Sequence, residues 1–171
     1  MAAAYTDEEC SLARALEIVG ERWTLLIVRD AFYGVRRFAD FAAHLSIPRA
    51  VLSERLALLV RSGVLAKEPG PGRRELYRLT EKGIDLFPAM RALLAWGDAH
   101  YAPRGPRRYF RHAADHGEVD IAGVCQECGK SLAVRDFVVI AGPGLDDAGA
   151  DPDVVTKALA KPHRLLDPIT G

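Results

Sequence analysis

Residues 47–83, IPRAVLSERLALLVRSGVLAKEPGPGRRELYRLTEKG, decide the fold. After a break at Ser46-Ile47-Pro48, the residues Val51, Leu52, Leu56, Leu59 and Val60 recur at helical spacing, which predicts a helix to Ser62 capped by Gly63. The period then changes. Val64–Glu68 and Glu75–Leu79 read as strands, and Pro69-Gly70-Pro71-Gly72 between them admits only a turn or loop. Just upstream, Arg37–Leu45 predicts a short helix with Phe38, Phe41 and Leu45 on one face. Two short helices joined by a tight break and followed by a small hairpin make a winged helix-turn-helix.

Outward from this unit, Glu21–Tyr33 is apolar almost all round and belongs at the centre of the core. Asp7–Val19 predicts a first helix, with Asp7, Glu8 and Glu9 in its first turn and Leu12, Leu16 and Val19 as its apolar stripe. Beyond the hairpin, Thr80 opens a helix running to about Tyr101, which Pro88 should kink or divide. Its apolar positions exceed one core face. That surplus, with the stripe on the first helix, predicts a self-complementary dimer surface, the alternative being a wider core. The fold class is α+β, mainly α with a small β wing. A winged-helix domain covers residues 1–101, and a small β-rich extension covers 102–171.

A helix that enters the major groove needs a polar, non-acidic N-terminal end. Arg49 and Ser53, four apart, share a face, and Arg55 sits to the side. Arginine grips a guanine edge with two hydrogen bonds, and serine donates or accepts. Arg73, Arg74 and Arg78, with Lys67 on the opposite strand, place cations around the hairpin tip for phosphate contact. The chain has 23 basic and 23 acidic residues, yet the charge is sorted. Residues 1–35 balance at −3, residues 36–78 at +5 and residues 113–171 at −5, while 102–112 hold four arginines and no acid. A polyanion responds to that sorting more than to the sum, although solvated charged faces remain the plainer alternative.

Cys10, EIVGERWTLL at 17–26, Arg36-Arg37-Phe38, IPRAVLSERL at 47–56, VRSGVL at 60–65, ELYRLTEKG at 75–83 and Trp96-Gly97-Asp98 occur in one order. Over residues 8–101 the chain thereby resembles the HxlR family of bacterial transcriptional regulators, winged-helix proteins related to the MarR type. The resemblance implies a homodimer on a partly palindromic double-stranded DNA operator, usually near its own or a neighbouring gene. It also adds Arg36 and Arg37 to the DNA-binding candidates. Ala50 departs from the Asn or other polar residue common there, which removes one base contact from the analogy. Two recognition helices related by a dyad reach successive major grooves about 34 Å apart, the physical reason for a dimer. Small apolar effectors can lodge at such dimer interfaces. In some family members a cysteine at the place of Cys10 senses oxidants or electrophiles. The helix dipole favours a thiolate there, Asp7, Glu8 and Glu9 oppose it, and both a sensor and a buried inert thiol stay open.

Ala102–Arg108 forms a Pro/Gly/Arg boundary. Beyond it, strands are predicted around 118–124 and 132–140, joined through Cys125-Gln-Glu-Cys128-Gly129-Lys130. This run has the form of one zinc knuckle. A tetrahedral site needs four ligands, and His112 and His116, spaced by four, would complete a Cys2His2 set, with Asp115 as an oxygen alternative. A metal-free vestige and a redox dithiol stay open, although a thioredoxin-like motif would open a helix where this chain returns to a strand. The hairpin would span about 109–141, followed by a Gly/Asp/Pro linker at 142–153, a short helix at 154–160 and a mobile tail.

Composition sets the outer bounds. At 171 residues and 49% hydrophobic, the chain can bury a core, which excludes wholesale disorder. No apolar run approaches the ~18 residues of a membrane span, and Met1–Cys10 has neither the charge nor the apolar core of a signal peptide. Three cysteines make no disulfide framework, so a cytoplasmic protein is expected. No phosphate loop, dinucleotide fingerprint or His-Glu-x-x-His pattern occurs, and the carboxylate pair Asp146-Asp147 sits in the linker stretch. An enzyme is therefore not expected. The competing readings are a zinc or thiol-redox protein centred on the extension, and a winged-helix interaction module that does not bind DNA.

Overall fold

The computed structural model describes residues 10–145 and 150–170. Four helices, α1 (Ser11–Val19), α2 (Thr24–Phe32), α3 (Phe38–Leu45) and α4 (Arg49–Arg61), lead into β1 (Leu65–Pro69), a 3-10 turn at Pro71–Arg73 and β2 (Glu75–Leu79). Two helices follow, α5 (Glu81–Ile84) and α6 (Phe87–Tyr101), then β3 (Arg108–His112), β4 (Phe137–Ala141), α7 (Val154–Ala158) and β5 (His163–Arg164). The expected helix-turn-helix and wing are present within a residue or two of the predicted bounds. Pro88 lies in the first turn of α6, where its missing N–H is harmless, so the long helix is divided rather than kinked.

The wing is an antiparallel pair with Leu65 opposite Leu79 and Pro69 opposite Glu75. Its edge gains a contact that sequence periodicity did not reveal. Arg37 bridges Leu76, and the Tyr77 amide donates to the Arg36 carbonyl at 2.8 Å. The wing is tied to α4 and α5 at one crowded point. The Thr80 hydroxyl donates to the Gly63 carbonyl at 2.6 Å and accepts from the Gly83 amide at 3.1 Å. A Cβ at Gly83 would stand 2.2 Å from the Val64 carbonyl oxygen, so only glycine permits that approach.

The extension differs from its predicted form. Its sheet runs β3-β4-β5, and β3 begins at the last residue of the expected boundary and lies ahead of both expected strands. Phe137, Val138 and Val139 are all buried, as befits the central strand. Residues 118–131 form only isolated bridges, Glu118–Arg111, Val119–Cys125 and Val124–Ser131. The strand expected there is cut short by a turn in which Asp120 accepts from the Gly123 and Val124 amides.

The tail read as mobile packs onto the winged helix over residues 150–170. Val155, Leu159, Leu165 and Ile169 share one buried cluster with Phe32, Phe41, Phe87 and Phe137. Asp153 caps α7, its carboxylate accepting from the Val155 and Thr156 amides at 2.8 and 3.1 Å. The Leu166 and Ile169 amides donate to the carbonyls of Phe32 and Gly34 at 2.8 and 3.0 Å. Gly34, at φ +89, allows this approach; a Cβ there would sit 1.7 Å from the Asp167 carbonyl oxygen. Asp7, Glu8, Glu9, Asp146 and Asp147 lie outside the described residues.

Candidate DNA-binding surface and metal centre

Ser46, at φ 49, reverses the chain between α3 and α4. Helix α4 then buries Leu52, Leu56 and Leu59 and exposes Arg49, Ala50, Ser53 and Arg61. The Arg49 guanidinium lies 5.3 Å from the Phe38 ring centre, which steadies it at the helix N-terminus. Arg49 and Ser53 thus share the exposed end, while Arg55 is drawn away. Its side chain is mostly buried and pairs with Glu54 at 2.9 Å and Glu21 at 3.7 Å, clamping α4 to the turn before α2. Behind the helix pair, Asp30 is fully buried. It accepts from Arg29 at 2.7 Å and from His44 Nδ1 at 2.7 Å, fixing α3 against α2.

The wing cations divide into two kinds. Lys67 pairs with Glu75 at 2.6 Å, and Arg78 pairs with Glu68 across the strands. The hydrogen bond to Glu75 holds the Lys67 ammonium above its ordinary pKa. Arg74 is exposed at the tip, and the side chain of Arg73 lies outside the described residues. Arg36 and Arg37 are half-buried at the wing's edge.

An apolar surface stands elsewhere. Helix α1 has no buried residue, and Leu12 is 66% exposed beside the exposed Leu16. On α6, Leu93, Trp96 and Tyr101 are 54%, 56% and 74% exposed. Cys10 is exposed at the N-terminal end of α1.

In the extension, one ligand atom each of His112, Asp115, Cys125 and Cys128 converges within 4.8 Å, a set able to hold a metal ion. Cys125 Sγ lies 3.4 Å from Asp115 Oδ1, Cys128 Sγ 3.5 Å from His112 Nδ1, and His112 Nδ1 2.9 Å from Asp115 Oδ2. The Gly117 amide, with further hydrogen bonds from Cys128, His112 and Cys125, holds the Asp115 carboxyl far below its usual range. The Lys130 amide lowers the Cys128 thiol, but desolvation and Asp115 together carry it above its ordinary value. His116 stands apart from this set. A spacing of four stacks two side chains on a helix, whereas here a turn follows β3, with the His116 amide bonded to the His112 carbonyl and φ at 59°.

Sequence reasoning missed Arg91. This α6 residue is 8% exposed, donating to the Asp120 and Val119 carbonyls at 2.8 and 3.1 Å. Its guanidinium also lies 5.6 and 5.2 Å from the Phe110 and Phe137 ring centres. A charged residue set among Phe87, Met90 and Leu94 was the available signal. Two arginines of the acid-free 102–112 stretch are likewise engaged within the fold: Arg108 bonds the Leu159 carbonyl, and Arg111 pairs with Glu118 at 2.6 Å. Among the described residues, no helix is long and apolar enough to cross a membrane.

Residues 18–105 match the family model described as HxlR-like helix-turn-helix. An uncharacterised HTH-type transcriptional regulator of Mycobacterium tuberculosis (strain H37Rv) is 47% identical over 138 residues, 78% of this chain and 87% of that protein. Another, from Methanothermobacter thermautotrophicus, is 30% identical over 117 residues, 66% of this chain and 82% of that protein. The crystal structure of PA1607, a candidate transcription factor, matches with a TM-score of 0.65 at 34% identity, covering 78% of this chain and 96% of that chain. The redox regulator HypR in its oxidised form matches at a TM-score of 0.50 and 26% identity, covering 53% of this chain and 97% of that one. With its helix-turn-helix, its wing and over half its length inside the family model, the chain belongs to the HxlR-like helix-turn-helix family of DNA-binding transcriptional regulators.

Proposed function

We propose that the protein works as a homodimer on a partly palindromic operator. In this reading Arg49 and Ser53 read base edges in the major groove. Arg73 and Arg74 at the wing, with Arg36 and Arg37 at its edge, contact phosphates. The observation that carries the reading is the exposed Arg49–Ser53 face at the N-terminal end of α4, beside a hairpin with a cationic tip. The dimer is supported by the exposed apolar residues of α1 and α6, which a monomer would leave in water. Protection mapping of the DNA beside the protein's own gene, with sedimentation of the protein alone, tests both parts. A footprint with two half-sites one helical turn apart, from a sedimenting dimer, is expected. A monomer, or binding whose affinity does not fall with salt, overturns the proposal.

The exposure of Cys10 at the start of α1 supports a response to oxidants or electrophiles, in line with the likeness to an oxidised redox regulator. Modification there adds bulk beside the apolar α1 surface and so alters the dimer. The Cys10→Ser variant should bind DNA normally and stay bound when the parent is released by oxidant. Equal release from both removes Cys10 as the sensor.

The convergence of two cysteines, a histidine and a carboxylate favours a second activity, metal binding in the extension. Two sulfurs and an imidazole suit zinc over magnesium or calcium, which take oxygen ligands.

A further inference from the structure

We propose that His112, Asp115, Cys125 and Cys128 hold one tetrahedral zinc ion, and that its occupancy holds α6 in place through Arg91. The proposal rests on the metal-binding reading of the extension and adds a ligand set and a consequence. Zinc bonds of about 2.3 Å to sulfur and 2.0–2.2 Å to nitrogen or oxygen give a tetrahedron with edges of roughly 3.4–3.8 Å. With Asp115 Oδ2 as the ligand atom, the S–O and S–N separations of 3.6 and 3.5 Å meet that edge, and the 2.9 Å N–O contact needs a small opening. The backbone is shaped for the same purpose. The Cys125 amide bonds the Lys130 carbonyl at 2.9 Å, and the Gly129 amide bonds the Cys125 carbonyl at 2.9 Å, which turns both sulfurs inward. A Cβ at Gly117 would meet Cys125 Sγ at 2.7 Å, so a side chain there would push into the ligand cradle.

The other side of this backbone faces α6. Val119 bridges Cys125, and the Gln126 amide bonds the Glu118 carbonyl at 2.8 Å. The carbonyls of Val119, the bridge partner of the ligand Cys125, and of its neighbour Asp120 are the two that accept from Arg91. Residues 126–131 are all exposed, so this hairpin has little apolar burial to hold it, and metal ligation supplies the missing order. Without the ion the hairpin loosens, and Arg91 is left as a buried guanidinium with no acceptors. That state is costly enough for α6 to move until water reaches it. The exposed Leu93 and Trp96 lie within two turns of Arg91, so the movement falls on the apolar surface.

The test uses the full chain, loaded with zinc alone. Metal analysis should find one zinc per chain, lost in Cys128→Ser and in Asp115→Ala and kept in His116→Ala. No zinc in the parent overturns the metal-binding reading itself; zinc lost in His116→Ala and kept in Asp115→Ala overturns this ligand set. Hydrogen exchange then reads the coupling. Stripping zinc with a chelator should speed exchange of the α6 amides by about tenfold, a coupling of ordinary size. Arg91→Met should exchange fast with zinc still bound, and Arg91→Lys, which keeps the charge, should lie between. If α6 exchange is unchanged when bound zinc is removed, the coupling is wrong and the metal site stands.

Discussion

At position 30 a carboxylate is wholly buried, and it accepts from Arg29 on one side and His44 on the other. It sets how α3, and the helix that follows it, sit on α2. Asp30→Ala should cost about 3–5 kcal/mol in a urea titration, because it leaves a guanidinium and an imidazole without their buried partner. A loss under about 1 kcal/mol would mean that the pair adds nothing to the fold. On the recognition helix, Arg49→Ala should cost ~1–3 kcal/mol on a specific duplex and relax base preference. Equal losses on specific and random DNA would reduce Arg49 to a phosphate contact. Helical spacing put Arg49 and Ser53 on one face, and both are exposed on α4. It set Arg55 to the side, but did not give its pairing with Glu21, which comes from the turn before α2. Between the two candidates for a fourth ligand, His116 and Asp115, spacing could not choose, because a turn after β3 sets Asp115 beside the sulfurs and His116 apart from them.

The wing was legible as an element because glycine and proline between two apolar runs leave few choices. What each cation on it does was not legible, since cross-strand register decides it. Lys67 and Arg78 pair diagonally across the strands with Glu75 and Glu68, so each would meet DNA already paired. Arg74→Ala should lower the slope of log affinity against log salt by about one unit, with similar effects on all sequences. Arg78→Ala should change that slope by clearly less, because releasing Glu68 offsets the lost contact. Equal slopes for the two variants would show that the ion pair opens on binding. Strand β3 was hidden for a related reason: Arg108-Tyr-Phe-Arg-His lacks the alternation of a surface strand, since its arginines bond neighbouring segments of the chain.

Across the whole molecule, one buried cluster joins the helix-turn-helix to the extension, which a boundary rich in proline and arginine did not foretell. Unfolding should therefore follow a single transition, whether read by Trp23 fluorescence or by amide exchange in β4. Two separated transitions would show instead that the extension melts as a unit. Removing residues 150–171 should destabilise the winged helix itself, since Val155, Leu159, Leu165 and Ile169 each contribute about 1.5–3 kcal/mol of burial. The paired flanks of the wing bear on a different matter, how the regulator spends its time among wrong sequences. Cations that reach DNA already neutralised release few counterions, so they add little to sequence-independent binding. With its wing flanks satisfied internally, the regulator should be held less tightly by the bulk of a genome than one whose wing flanks carry unpaired cations. Fewer copies should then be absorbed by irrelevant sites, which leaves more of the regulator free for its specific sequence.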